Sequence, residues 1–290
     1  MIENITIGCD PEFFLRDNMT GKMVPACGLI GGSKENPLPI SDKGHSIQED
    51  NVMVEFNVPP ARTADDLWSD IDFVKNFIKD KVIPKNLDIL IIPSAHFEKA
   101  DLMSEQAMTF GCSPDFNAWE LSMNEVKLTD ETLRASAGHI HIGYNNPNPD
   151  TSIAIIKAMD LFLGVQSVIL DLDTERKKMY GKAGAFRFCK FGCEFRVLSN
   201  FWIVSKELTT WAFNGAMEAI EFAGCQEPIS DDLRDNIVKA INTQDRDLAY
   251  SIYKKYAKPN ELIEKAYIGE QEVKVATPEN IEEAFKLLTT

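Results

Sequence analysis

Histidine is scarce in this chain: four in 290 residues. A histidine-rich zinc centre of the hydrolase kind is hard to assemble from so few. Cysteine is thinly spread as well. Cys9, Cys27, Cys112, Cys189, Cys193 and Cys225 form no CxxC pair, so a four-cysteine zinc site is not expected and reduced thiols are. Long apolar runs are missing. The most apolar stretch, Ile153 to Leu172, is broken by Lys157, Asp160 and Gln166, so no membrane span is expected. The N-terminal residues lack a basic region followed by an apolar core, so no signal peptide is expected and the cytoplasm is the expected compartment. Positive charge is in deficit: 30 Lys and Arg face 45 Asp and Glu, a net charge of −15. That balance argues against general affinity for nucleic acid or an anionic membrane, while leaving room for a local basic pocket. Neither GxxxxGK[ST] nor GxGxxG occurs, so the two common glycine-loop nucleotide motifs are absent.

What is present is an ordinary core-forming composition, 44% hydrophobic and 26% charged. "NITIGCDPEFFL" predicts a strand interrupted at Pro11, and "DNVMVEFNVPP" a strand that stops at Pro59. A helix follows with Thr63 as N-cap and Asp65 and Asp66 in its first turn. Its expected apolar face is Leu67, Ile71, Val74, Phe77 and Ile78. "LDILIIPSA", "SAGHIHIGY" and "GCEFRVLSN" read as further strands, and Ser152 to about Leu172 as a buried helix. From Phe201 the pattern is helical, with caps expected at Ser230, Asp245 and Thr277. The predicted class is α+β, with a largely antiparallel sheet, helices covering one face, and a helical C-terminal part. A domain over 1–224 is expected, with 225–290 as a helical extension packed on it.

Strand side chains alternate between two faces. In "GHIHIG", His139 and His141 oppose Ile140 and Ile142. In "VMVEFNV", Glu55 and Asn57 oppose Val54, Phe56 and Val58. In "CEFRVL", Glu194 and Arg196 oppose Phe195 and Val197. Asp10 and Glu12 are spaced alike around Pro11. Any one of these faces alone reads as a solvated edge of an antiparallel sheet. If all four share one face, it carries carboxylates, imidazoles and a guanidinium, which suits a divalent cation and a phosphate.

Two loops bear on this. Arg176, Lys177, Lys178, Lys182, Arg187, Lys190 and Arg196 make a basic cluster in an acidic chain. In "GLIGGSKENP", Gly31, Gly32 and Lys34 could bind phosphate or a substrate carboxylate, or simply form a tight turn. His45 and His96 read as ordinary surface histidines. Cys112 has no neighbour that identifies a base, so covalent catalysis is not expected.

"GCDPEFFL", "GGSKENP", "QEDNVMVEFNVPPA", "FGCSPDFNAW", "SAGHIHIGY", "YGKAGAFR" and "GCEFRVLSNFW" together resemble the carboxylate–amine ligases encoded by tailed phages, whose catalytic core is similar to that of glutamine synthetase and glutamate–cysteine ligase. The resemblance covers about Ile5 to Trp202. It implies a curved sheet with a polar active-site face, and an ATP-dependent ligase working through an acyl phosphate with two Mg²⁺ ions, in the host cytoplasm. Carried residue by residue, it implies Asp10, Glu12, Glu55, His139 and Glu194 as metal ligands, with Glu12 favoured over Asp10 and Glu49 as a possible helper. His141 would meet the γ-phosphate, Arg196 would stabilise transition-state charge, and Glu55 joins these two in the catalytic set. Arg176, Arg187 and Lys182 would bind nucleotide phosphate, and Lys34 and Asn57 would contact substrate. The acceptor could be an amino acid, a cell-wall peptide or a protein terminus. Rival readings are a guanidino-kinase-like phosphotransferase, a zinc-dependent amidohydrolase, and a binding protein with a degenerate site.

Overall fold

Pro11 divides the first strand-like segment into two strands that enter two different sheets. The computed structural model describes residues 2–108, 115–124, 130–225 and 228–269. The first elements are β1 (Thr6–Cys9), β2 (Glu12–Asp17), β3 (Met23–Val24), β4 (Leu38–Pro39), β5 (Ser46–Asp50), β6 (Met53–Asn57) and α1 (Ala64–Val82). There follow β7 (Leu87–Leu90), β8 (Ser94–His96), α2 (Glu105–Met108), β9 (Phe116–Asn117), β10 (Ser122–Met123), β11 (Leu133–Ala135) and β12 (Ile140–Gly143). The remainder comprises α3 (Pro149–Met159), α4 (Val165–Leu170), α5 (Arg176–Met179), β13 (Ala185–Cys189), β14 (Gly192–Phe195), α6 (Lys206–Gly224), α7 (Asp231–Thr243), α8 (Arg246–Tyr256) and α9 (Glu261–Gly269).

One sheet runs β1-β12-β14-β13-β9-β10, and the other β3-β2-β6-β5-β4 with β7 also on β2. Every pairing among them is antiparallel, and β8 and β11 form a separate antiparallel pair. The expected α+β class with a curved antiparallel sheet is borne out.

Period-2 patterning places the apolar sides as expected. Ile140, Ile142, Cys193, Phe195, Val54 and Phe56 are all buried in the core. The segment from Asp50 to Val58 is not one strand, however. Asp50 pairs with Met53, so Asn51 and Val52 form a two-residue turn, with Asn51 at φ 57°. A left-handed residue is what such a turn needs, and asparagine tolerates it.

The helix caps follow local chemistry. Thr63, Ser230 and Asp245 each accept a backbone N–H from the first turn of α1, α7 and α8. The cap expected at Thr277 lies outside the described residues. On α1, Leu67, Ile71, Val74 and Ile78 are buried, but Phe77 is exposed. Lys75 is buried instead, with Nζ donating to Ile203 O at 2.8 Å. From α3 to α4 the chain is one helical rod, Pro149–Leu170, interrupted by a π turn at Asp160–Gly164. By length and composition this rod could cross a membrane, which the sequence reading did not expect; 83% of its most apolar window is buried inside the fold. It packs beneath β13 and β14 and against α6, while α7, α8 and α9 pack on α4. The helical C-terminal part thus shares the core of the sheets.

Candidate active site

The strands bring most of the expected polar side chains to one narrow cleft of about 110 Å³. Its lining includes Asp10, Glu12, Lys34, Glu55, His139, Arg187 and Arg196. A larger hollow of about 750 Å³ lies between α6 and the start of α9, and none of these residues lines it.

Two sheets, not one, supply the cleft. Glu12 on β2 pairs directly with Glu55 on β6. Glu12, Asp50 and Glu55 each offer a carboxylate oxygen within 4.8 Å of the others. On the other sheet His141 pairs with Glu194, and Asp10, His141 and Glu194 form a second such group within 4.8 Å. Asp10 is therefore central: its Oδ1 lies 3.2 Å from both His139 Nδ1 and His141 Nε2.

Charge balance differs sharply between the groups. Burial alone would raise the Asp10 carboxyl, but the two imidazoles hold it well below the usual carboxylate range. Burial and the charge of Asp50 push Glu12 up to about 8, despite a 2.7 Å hydrogen bond from the Ala137 N–H to its Oε2. Burial and the charges of Asp10, Glu12 and Asp50 raise Glu55 well above its ordinary value, against the amide of Gln48 at 2.9 Å. Three crowded carboxylates, with Glu12 and Glu55 raised in proton affinity, have the character of a cation site, and an all-oxygen donor set suits a hard divalent ion. In the Asp10–His141–Glu194 group an imidazole joins two carboxylates, and with His141 protonated the oxygens of Asp10 and Glu194 are the ones left to ligate Mg²⁺. The residues present offer oxygen ligands for two divalent cations.

Burial lowers the His139 pKa, as does the charge of Arg196, while Asp10 opposes both. For His141 the carboxylates outweigh burial and the pKa is raised. Burial works against the charge on Arg196, but Tyr180, Glu194 and Asp115 more than offset it and fix the guanidinium as a permanent cation. It is clamped by Glu194 Oε1 on one side and by Asp115 Oδ1, 2.5 Å from Nε, on the other. Arg187 is less buried and lies 4.0 Å from both Asp115 and Glu194.

Several expected residues are placed elsewhere. Arg176 is 1% exposed, and its guanidinium donates to Ser136 O, Val197 O and Leu198 O at 2.7, 2.8 and 2.8 Å. It ties three backbone segments together and does not line the cleft. Glu49 is no metal helper either: it accepts from Gly28, Ile30 and Gly31 N–H, each at 2.8 Å. The glycine-loop amides are thus filled from within, and Lys34 alone of that loop lines the cleft. Lys182 and Asn57 are half-buried and outside the lining. His45 is not a surface histidine. It is 3% exposed and bridges Ser41 Oγ at 2.6 Å and Asp70 Oδ1 at 2.9 Å. Cys112 lies outside the described residues; Cys9, Cys27, Cys189, Cys193 and Cys225 are free thiols.

Three site residues escaped the sequence reading. Asp50 sits in "QED" beside Glu49, and only the hairpin register shows which acid faces the cleft. Asp115 belongs to "CSPDFN". Tyr180 opens "YGKAGAFR", and its hydroxyl lies 3.3 Å from His139 Nε2.

Residues 134–259 match the family described as Phage phiEco32-like COOH.NH2 ligase-type 2. The family resemblance is borne out. The matched range runs through α7 and α8, well past Trp202, where the resemblance in the sequence ends. It begins at Arg134, so Asp10, Glu12 and Glu55 lie outside it. No curated protein matches the chain. Among solved structures, one described as "Crystal structure of novel glutamine synthase homolog" is similar at 9% identity with a TM-score of 0.46, covering 98% of this chain and 71% of that one. Two structures of GmaS, described as "Apo GmaS without ligand" and "GmaS/ADP complex-Conformation 1", are similar at 11% identity with TM-scores of 0.39 and 0.38. Both cover 95% of this chain, and 71% and 72% of those chains.

Proposed function

We propose that the chain is an ATP- and Mg²⁺-dependent ligase that joins a carboxylate to an amine through an acyl phosphate. One observation carries this reading: Asp10, Glu12, Asp50 and Glu55 line one cleft together with Arg187 and Arg196, and Asp10 is in turn grouped with His141 and Glu194. The match to a carboxylate–amine ligase family supports it. Divalent cations bound there would neutralise phosphate and carboxylate oxygens as charge moves between them.

The remaining work falls to this chain's own side chains. Arg196 is held by two carboxylates before any substrate arrives, so its charge needs no reorganisation during transfer. Arg187 is more accessible and suits bidentate contact with a phosphate. His141, bearing a raised pKa, donates to phosphate oxygen from the β12 side. Lys34, on the opposite loop, takes the substrate carboxylate. That carboxylate attacks the γ-phosphorus and ADP leaves; the amine nitrogen then attacks the acyl carbon and phosphate leaves. Glu55, whose proton affinity is raised, accepts the amine's proton. A cleft of about 110 Å³ accommodates a phosphoryl group in transit but not a nucleoside, whose base lies beyond it.

The test is incubation with ATP, Mg²⁺ and mixtures of amino acids. ADP and phosphate should appear only when a carboxylate and an amine are both present. A phosphorylated product made with no amine would point instead to a phosphotransferase.

A further inference from the structure

Three side chains that line the cleft can hold neither a cation nor a phosphate. Met53, Leu133 and Met179 line it together with the acids and arginines. They come from three elements. Met53 stands two residues before Glu55, on the same face of β6. Leu133 opens β11, and α5, which ends at Met179, packs on that strand. Ala135 and Ala137 continue the lining with nothing larger than a methyl group.

This apolar wall is fastened at both joints. Arg134 Nε donates to Asn51 Oδ1 at 3.1 Å, which ties β11 to the turn before Met53. Arg176 Nε donates to Ser136 O at 2.7 Å, which ties the helix of Met179 to the end of β11. Such a wall has a set shape before any substrate arrives.

The charges beside it are already committed. Among the described residues four cations line the cleft: Lys34, Arg134, Arg187 and Arg196. Arg134 serves Asn51 and also the carbonyls of Glu131, Leu133 and Ala107, at 2.9, 3.0 and 3.0 Å. Arg196 is clamped by Glu194 and Asp115. In the mechanism above, Arg187 takes phosphate and Lys34 takes the reacting carboxylate. No lining cation remains for a second negative charge on the substrate, and a charge buried against methionine and leucine without a partner is costly.

We propose that the carboxylate substrate is a monocarboxylate whose carboxyl group is flanked by a short, uncharged aliphatic group, held against Met53, Leu133 and Met179. This rests on the ligase reading above. The group is short because a cleft of about 110 Å³ must also pass a phosphoryl group. The same chemistry occurs in a free aliphatic acid and in the C-terminal residue of a peptide, for which propanoate and N-acetylalanine are the respective probes.

The test uses the full chain with ATP, Mg²⁺ and hydroxylamine in place of the amine. The acid's oxygen attacks the γ-phosphorus and ADP leaves; the hydroxylamine nitrogen attacks the acyl carbon, phosphate leaves, and the hydroxamate is counted as its ferric complex. Propanoate, butanoate or N-acetylalanine should react, and kcat/KM for succinate and glutamate should be lower by about 100-fold or more. Preference for N-acetylalanine over propanoate points to a peptide terminus, the reverse to a free acid. Met179 is half-buried and tolerates change. Met179→Lys puts a cation on the wall and should raise the ratio of succinate to butanoate about tenfold or more. In parallel, calorimetry ranks binding of the same acids in the presence of Mg²⁺ and a β,γ-methylene analogue of ATP. Succinate or glutamate reacting as well as butanoate overturns the proposal and leaves the ligase reading standing, as does an unchanged ratio in Met179→Lys. No hydroxamate from any acid, with the aliphatic acids still binding tightest, removes the ligase reading and keeps the pocket. Equal binding of all the acids overturns the pocket.

Discussion

Asp10 and Glu12 are separated by a single proline, yet their carboxylates belong to different donor groups on different sheets. Asp10 contacts His141 Nε2 at 3.2 Å, whereas Glu12 is grouped with Asp50 and Glu55. The first carboxylate is held ionised by imidazoles; the second is pushed towards its protonated form by burial and by Asp50. The cleft therefore has one electrostatically settled side and one that is strained until a cation arrives.

That strain has a measurable sign. Glu55→Gln removes one of three crowded carboxylates while keeping its shape and its contact with Gln48. Melting in metal-free buffer at pH 8 should rise by a few degrees, about 1 kcal/mol of relieved repulsion. Mg²⁺-dependent turnover should vanish in the same variant. A lower melting temperature with turnover intact would mean that this acid is structural.

The two arginines should separate cleanly. Arg176→Lys keeps the charge but cannot reproduce the planar fork that reaches three carbonyls from Nε, Nη1 and Nη2, so it should destabilise the fold by about 2 kcal/mol or more. Its effect on the KM for ATP should be small wherever the protein stays folded. Arg187→Ala should leave the melting temperature nearly unchanged and cut kcat/KM for ATP by about 100-fold. The reverse pattern in melting curves and initial rates would restore Arg176 as the phosphate contact.

Asp160 offers a pH test away from the cleft. Burial pushes its carboxyl up to about 7, against hydrogen bonds from Trp119 Nε1 and the Gly184 N–H, both 2.6 Å from Oδ2. A carboxyl raised on folding binds its proton more tightly in the native state. Its contribution to stability is thus fully present below its unfolded pKa and is lost as pH rises through the folded value. Asp160→Asn keeps the acceptor but cannot ionise. Relative to this variant, the wild type should lose stability steadily between about pH 4 and pH 7. Parallel urea midpoints across that range would contradict the assignment.

Glu49 should act through Lys34. Glu49→Gln leaves one of three loop amides facing an N–H₂, which should loosen the loop by about 1 kcal/mol. The KM for the carboxylate substrate should rise severalfold, with the KM for ATP unaffected. Gly32→Ala should behave alike: Gly32 has φ +79°, and a Cβ there would lie 2.5 Å from Ile47 O. Equal changes in both KM values would show that the loop serves the whole site.

What could be read from the sequence was local. The caps at Thr63, Ser230 and Asp245 were legible because capping involves residues three apart. The alternation in "GHIHIG", "VEFN" and "CEFR" was legible because it directly sets the core face. The turn at Asn51 was not, because it is fixed by residues distant in sequence: Arg134 donates to Asn51 Oδ1 at 3.1 Å, from 83 positions away. Arg176 and Arg187 look alike in a basic segment, and only the carbonyls that converge on the first tell them apart. The sequence favours Glu12 over Asp10, yet it is Asp10 that reaches both histidines, at 3.2 Å from each.

The tripeptide Asp10–Pro11–Glu12 also works as a ruler. Two residues of chain span at most about 7 Å between Cα atoms, and the proline ring stiffens that span further. However the two sheets breathe, the separation of the carboxylates that open each donor group is bounded by covalent bonds rather than by packing. Inserting one residue beside Pro11 would lengthen that gauge without touching a single ligand.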